Sequence, residues 1–199
     1  FIKVRTVMTR KDRLRDAMEV ALSGLRGYYQ LAQDGTLEEQ EARRRALAWI
    51  RTLHYGDDEY FFIFDGNSTA LAYPEPEMEG RPLSQFMDIK SRPVTKAMWE
   101  ETLAYNAAYD VFRWKSLGSW DLIPRIGYFV RFDAWNWVVA TGMDITDLEQ
   151  EEEVRRKNLV EVLSSTLSDI RIADSGLVML FTGDKNTLLI PAAGDGDYA

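Results

Sequence analysis

Apolar positions recur at helical spacing through the first quarter of the chain and then switch to alternation. Between Lys3 and Gln33, Val4, Val7, Leu14, Met18, Ala21, Leu25 and Tyr28 return at steps of three, four and one seven, with Arg, Lys and Asp between them. That pattern predicts one long amphipathic helix. Asp34-Gly35 ends it, and Thr36-Leu-Glu-Glu39 has the form of a capping box, which predicts a second helix reaching Leu53. A helix of roughly thirty residues is about 45 Å long. A domain of this size does not need such a length for its own core, so the helix is expected to project or to pair with a partner.

Aromatic and β-branched runs separated by turns follow at Tyr60–Asp65, Ala70–Tyr73, Val111–Lys115, Arg125–Phe132 and Trp137–Thr141. They predict an antiparallel sheet of about five strands. Within the first run, Tyr60, Phe62 and Phe64 fall on one face and Phe61 and Ile63 on the other, and Phe112 and Trp114 likewise share a face. Pro93 to Ala108 carries Val94, Ala97, Met98, Ala104 and Tyr105 near one helical face, which predicts a helix crossing the sheet. A second capping box, Thr146-Asp-Leu-Glu149, opens a charged helix to about Ile170. There Glu151 to Glu153 stand three and four residues from Arg155, Arg156 and Lys157, the spacing of a solvated helix face.

The first hairpin also has a degenerate copy. Without a gap, Phe64, Gly66, Leu71 and Pro74 match Phe181, Gly183, Leu188 and Pro191, four identities in fifteen, where composition alone gives about one. Eight residues remain after that copy, so a second module is expected to be incomplete here. The organisation expected is a long helix over 1–35, a first module over 36–145, and a linker helix with a partial second module over 146–199. The fold class is α+β.

Composition narrows the chemistry. The 199 residues are 46% hydrophobic, enough for a packed core, and the net charge of −8 argues against a general nucleic-acid or anionic-membrane binder. There is no cysteine and one histidine, His54, which removes disulfide frameworks, zinc-thiolate sites and multi-histidine metal sites. His54 closes the second helix and reads as a helix-end cation without a catalytic part. No phosphate-binding glycine loop, nucleophile elbow or kinase motif is present. No enzyme activity and no cofactor are expected. Both ends read as those of an excised fragment.

The landmarks in order carry a resemblance. Gly27-Tyr-Tyr with Asp34-Gly35, His54-Tyr-Gly56 before Tyr60-Phe-Phe-Ile, Tyr73-Pro74 with Glu79-Gly80, and Asp88 are followed by Phe112-Arg-Trp114, Pro124-Arg125, Tyr128, Trp135-Asn-Trp137 and Thr141-Gly142. The region from Gly27 to Asp144 thereby resembles the Cache family of PAS-like sensor modules, and the hairpin copy makes it similar to a double-Cache arrangement. The resemblance implies an extracytoplasmic input domain of a chemoreceptor, sensor histidine kinase or cyclic-dinucleotide enzyme. It implies a membrane anchor through segments outside this chain and a small organic acid as ligand, such as acetate, propionate, pyruvate or lactate. A homodimer through the N-terminal helix is the expected assembly. Three positions depart from the usual pattern: Tyr73 where histidine is frequent, Phe112 where tyrosine is, and Arg125 where lysine is.

Arg125 is the first candidate for the ligand, because a guanidinium presents paired donors that match a carboxylate and keeps its charge. Tyr73 and Tyr128 each join an apolar ring to a hydroxyl donor. Tyr60, Phe62, Phe112 and Trp114 are candidates for the pocket lining, and Asp88 for bracing the loop above it. Two rivals stand beside this reading: a degenerate module that dimerises or senses a partner protein without a small ligand, and an intracellular PAS-like domain holding a larger ligand or cofactor.

Overall fold

The computed structural model describes the backbone of residues 2–56, 59–168, 180–181 and 188–190, and the side chains of residues 6–56 and 59–163. Two compact units divide at Thr146. In the first, helix α1 (Ile2–Gln33) and helix α2 (Glu39–Thr52) precede a sheet of β1 (His54–Tyr55), β2 (Glu59–Phe64), β3 (Ala70–Ala72), β4 (Ala107–Lys115), β5 (Leu122–Phe132) and β6 (Trp137–Asp144). Helix α3 (Val94–Tyr105) lies between β3 and β4. All pairings are antiparallel, in the order β1-β2-β6-β5-β4, with β3 also on β2. The five expected strands are all present, and the two-residue β1 adds to them.

Alternation along β2 divides the core in two. Phe61 and Ile63 join Met18, Leu25, Ala46 and Ile50 on the face that α1 and α2 cover. Tyr60, Phe62 and Phe64 join Phe86, Met98 and Trp114 on the face covered by α3 and the long β3–α3 loop. On α1 the fully buried Leu14, Met18, Ala21 and Leu25 recur at steps of four, three and four. On α2 the buried Ala42, Ala46 and Ile50 are four apart. Small alanines let α2 lie close, and at the crossing a Cβ on Gly24 would stand 2.0 Å from Trp49 Cη2. That approach requires glycine.

Several local expectations are corrected. The crossing helix stops at Tyr105, short of Ala108, because Asn106 takes a left-handed conformation (φ 65°) and its amide caps Thr102 O at 2.9 Å. The strand then begins at Ala107 and runs nine residues, since its weakly β-forming start, Ala107 and Ala108, is paired with Val130 and Phe129. Neither capping box forms as expected. Helix α2 begins after Glu38 without a side-chain cap, and the Glu39 carboxylate accepts from Arg43 at 2.5 Å. Before helix α4 (Thr146–Ser168), Asp144 Oδ1 takes the Thr146 amide at 2.7 Å while the Thr146 hydroxyl has no partner among the described residues.

In the second unit, α4 exposes the charge pairs expected of it, with Arg156 donating to Glu153 at 2.8 Å. Its expected extension to Ile170 lies outside the described residues, as does most of the stretch expected to open a second module. What is described there is a hairpin of β7 (Leu180–Phe181) and β8 (Leu188–Ile190). Its register shifts between Leu180 and Phe181, and the β2–β3 register shifts between Ile63 and Phe64. The bulge thus recurs at the same step of both copies. Phe181 pairs with Leu188 and Phe64 with Ala70, so Leu188 matches Ala70 in register and the gapless alignment gains one residue in the turn.

Candidate functional site

The α3-covered face carries a polar centre inside an aromatic enclosure. Trp114, 1% exposed, lies between Phe86 (centroids 4.1 Å apart, planes 27°) and Phe62 (5.0 Å, 24°). Phe112 meets Trp114 edge-on at 5.5 Å. The Phe112 ring lies over the backbone of Gly127, where a Cβ would come within 2.4 Å of it. Glycine at that strand position therefore shapes the wall.

At the centre, Trp114 Nε1 donates to Tyr73 Oη at 3.0 Å, and the hydroxyls of Tyr60 and Tyr73 are 2.8 Å apart. Three donor protons serve two hydrogen bonds, so one phenolic proton is left without an acceptor among the described residues. Burial pushes the Tyr73 hydroxyl up to about 12 and that of Tyr60 well above its ordinary value. Both are neutral donors at physiological pH. The Tyr73 main chain is fixed from the helix side of the molecule: its amide donates to Glu79 Oε1 at 3.1 Å, and Glu79 is gripped by both donors of Arg51 on α2.

Two buried cations flank this centre. The Arg125 guanidinium stands 5.1 Å from the Tyr60 ring centroid, donates to Gly142 O at 2.7 Å, and is paired with Glu59. Burial lowers its pKa from the ordinary arginine value. Glu59 also accepts the Asp144 amide at 3.0 Å, and Asp144 O accepts from Arg10 on α1 at 3.0 Å. On the other side the Lys115 side chain, 4% exposed, is paired with Glu75 and lies 6.0 Å from the Tyr73 centroid and 5.3 Å from that of Trp120. The second oxygen of Glu75 accepts the Gly118 amide at 2.6 Å. A cavity of about 270 Å³ opens here, with Arg81, Ser119 and Trp120 on its walls.

The structure brings Arg125, Tyr73, Tyr60, Phe62, Phe112 and Trp114 to one face. It places Tyr128 on the other. Tyr128 stacks on Tyr109 at 4.3 Å and packs against the helix-side core, because it is three residues from Arg125 on β5 and an odd separation reverses the face. Asp88 closes its own loop below α3: its carboxylate accepts from the Lys90 and Arg92 amides, each at 2.8 Å, and from Arg92 Nε at 2.7 Å. Burial opposes its ionisation, and those donors outweigh burial, holding its pKa below the usual value. Sequence reasoning missed Lys115, Glu75, Glu59 and Phe86. A lysine ending an aromatic strand run was the one signal; the pairings depend on how the loops fold back. Among the described residues no cluster of three His, Asp or Glu side chains is arranged for a metal ion, and no helix is long and apolar enough to cross a membrane.

Comparison with known proteins gives the geometry a family. The model of the single Cache domain 2 matches residues 7–158, and the chain belongs to that family. It is 28% identical over 159 residues to the methyl-accepting chemotaxis protein McpP of Pseudomonas putida, covering 76% of this chain and 28% of that protein. It is 20% identical over 177 residues to the sensor histidine kinase MctS of Rhizobium johnstonii, covering 87% of this chain and 37% of that protein. The chain thus spans well under half the length of these two relatives. Among solved structures, a periplasmic sensor domain of a chemotaxis protein is 26% identical with a TM-score of 0.66, covering 71% of this chain and 99% of that one. A Cache chemosensory domain described for carboxylic acid recognition is 22% identical with the same TM-score of 0.66, covering 71% and 97%. Both share the α+β fold of long helix and antiparallel sheet.

Proposed function

We propose that this Cache domain is the extracytoplasmic input of a signalling receptor and that it binds a small monocarboxylate at the Tyr60–Tyr73–Trp114 centre. The observation that carries the reading is the unspent phenolic proton, enclosed by aromatic rings and flanked by buried cations. A donor surplus in an apolar enclosure suits an acceptor with a short hydrocarbon tail. Arg125, whose charge is shared with Glu59, attracts the ligand across the Tyr60 ring, Tyr60 and Tyr73 supply the hydrogen bond, and Phe62, Phe86 and Phe112 enclose the alkyl group. Relatives in chemotaxis and histidine-kinase signalling support the sensing role, and the periplasmic neighbour supports the location. Tyr128 has no part in this version of the site, and Asp88 acts through its loop.

A thermal-shift titration with acetate, propionate, pyruvate and lactate tests it. A ligand at a hundred times its dissociation constant stabilises the fold by about 2.7 kcal/mol. That shift is expected in the wild type and in Tyr128→Phe, and expected to vanish in the double variant Tyr60→Phe with Tyr73→Phe, which removes both phenolic protons. Retention of the full shift in that double variant, or no shift in the wild type, overturns the assignment. The recurring bulge supports a second reading in addition, that the β7–β8 hairpin opens a second module. A structure of a longer chain in which no further strands join that hairpin ends it.

A further inference from the structure

The two carboxylates beside the centre are held differently. Glu59 lies on β2 and is built into the sheet, taking the Asp144 amide as well as Arg125. Glu75 stands in the loop between β3 and the 3-10 turn at Pro76–Met78. Its two oxygens meet one buried ammonium and one backbone amide, with the cavity opening alongside. That is how a protein holds the carboxylate of a bound molecule. Here the chain supplies the carboxylate itself.

Charge counting then decides what the site can accept. Arg125 and Lys115 are balanced by Glu59 and Glu75, and the phenolic pair offers one proton. One ligand carboxylate finds that proton and the Arg125 N–H groups that Glu59 and Gly142 O leave unused among the described residues. A second, reaching past Tyr73, meets a lysine whose charge Glu75 already balances and the negative charge of Glu75 itself, and juxtaposed like charges at a desolvated contact are strongly unfavourable.

We infer that Glu75 is a specificity-determining residue, an internal carboxylate that occupies Lys115 and the Gly118 amide and so restricts the site to monocarboxylates. Neutralising it frees Lys115 to take the second carboxylate of a short diacid. The inference rests on the monocarboxylate reading above and names what sets its selectivity.

Isothermal titration of this chain with propionate and with succinate tests it. In the wild type propionate binds and succinate is weaker by at least about tenfold, the factor that one unfavourable charge contact of about 1.4 kcal/mol gives. Glu75→Gln is expected to tighten succinate by about tenfold or more while propionate changes by less than about threefold. Adding Lys115→Met to Glu75→Gln is expected to cancel the gain, because the lysine then no longer supplies the charge. Glu75→Ala, which cannot hold the Gly118 amide, repeats the test if the glutamine variant fails a circular-dichroism melt. Succinate binding that stays weak in both Glu75 variants while propionate still binds overturns the inference and leaves the monocarboxylate site standing. So does wild-type binding of succinate as tight as that of propionate. Absence of propionate binding in the wild type overturns the carboxylate reading and this inference with it.

Discussion

One strand supplies both faces of this sheet, yet the faces are built for different ends. The helix face is filled by aliphatic and aromatic side chains from α1, α2 and β2, and two regular helices close it. The α3 face has an equally buried set of rings, but a single short helix and a long loop cover it, and its centre holds hydroxyls, an indole N–H and two ion pairs. Packing alone explains the first face. The second carries polar groups whose burial is costly unless each is satisfied, and one donor proton there lacks an acceptor. A fold can thus devote one side of a sheet to packing and leave donor capacity unspent on the other.

The hardest way to break this contrast is to unbalance a buried charge on the α3 face. Glu59→Ala leaves Arg125 without its counter-ion, and breaking a buried pair by removing one partner costs about 3–5 kcal/mol. Ile63→Val, a methylene lost from the fully buried helix face, is expected to cost only about 0.5–1.5 kcal/mol. Urea denaturation of the two variants measures the difference, and equal costs would remove the distinction between the faces.

A smaller effect sharpens it. Gly127→Ala puts a Cβ where Phe112 Cε1 stands 2.4 Å away, and overpacking of this kind costs about 1–3 kcal/mol. Because the displaced ring is a wall of the proposed site, ligand-induced stabilisation should fall more steeply than the melting temperature of the free protein. Equal losses in both would make Phe112 a core residue only.

The smallest effect comes from two acids with opposite shifts. Asp88 is held below its usual value, whereas burial pushes Asp110 above it, and one Asp110 oxygen has no partner among the described residues. A raised carboxyl pKa means that the folded state binds the proton more readily, so ionised Asp110 costs stability above its folded pKa. Asp110→Asn should therefore stabilise the protein at neutral pH by about half a kcal/mol. The gain should fade as pH drops through the folded value and be gone below about pH 4, where the unfolded chain is protonated too. Asp88→Asn should do the reverse, losing stability at neutral pH and little in strong acid. Melting curves across that range read both signs.

Much of this was legible in the chain. The period-two run from Tyr60 to Phe64 and the pair Phe112 and Trp114 specify which rings share a face, since alternation is a property of the backbone. The same rule separates Arg125 from Tyr128, three apart on one strand, although the resemblance set them together. What the sequence could not show is contact between distant loops. Glu75 and Lys115 are forty residues apart, and their pairing depends on where the β3 loop and the β4–β5 turn come to rest. Helix caps were misread for a related reason: Thr36 and Thr146 have the right local pattern, but Glu39 has an arginine one turn on and Asp144 reaches the first amide of α4.

The main chain of Asp144 is tied on both sides. Its N–H is held by Glu59, the partner of Arg125, and its C=O by Arg10 of the long helix. Three contacts therefore join the guanidinium beside the phenols to the 32-residue helix α1. The Glu59 carboxylate stands two hydrogen bonds from α1. Between the guanidinium and the helix stand only one carboxylate and one peptide unit, with no core side chain in the line.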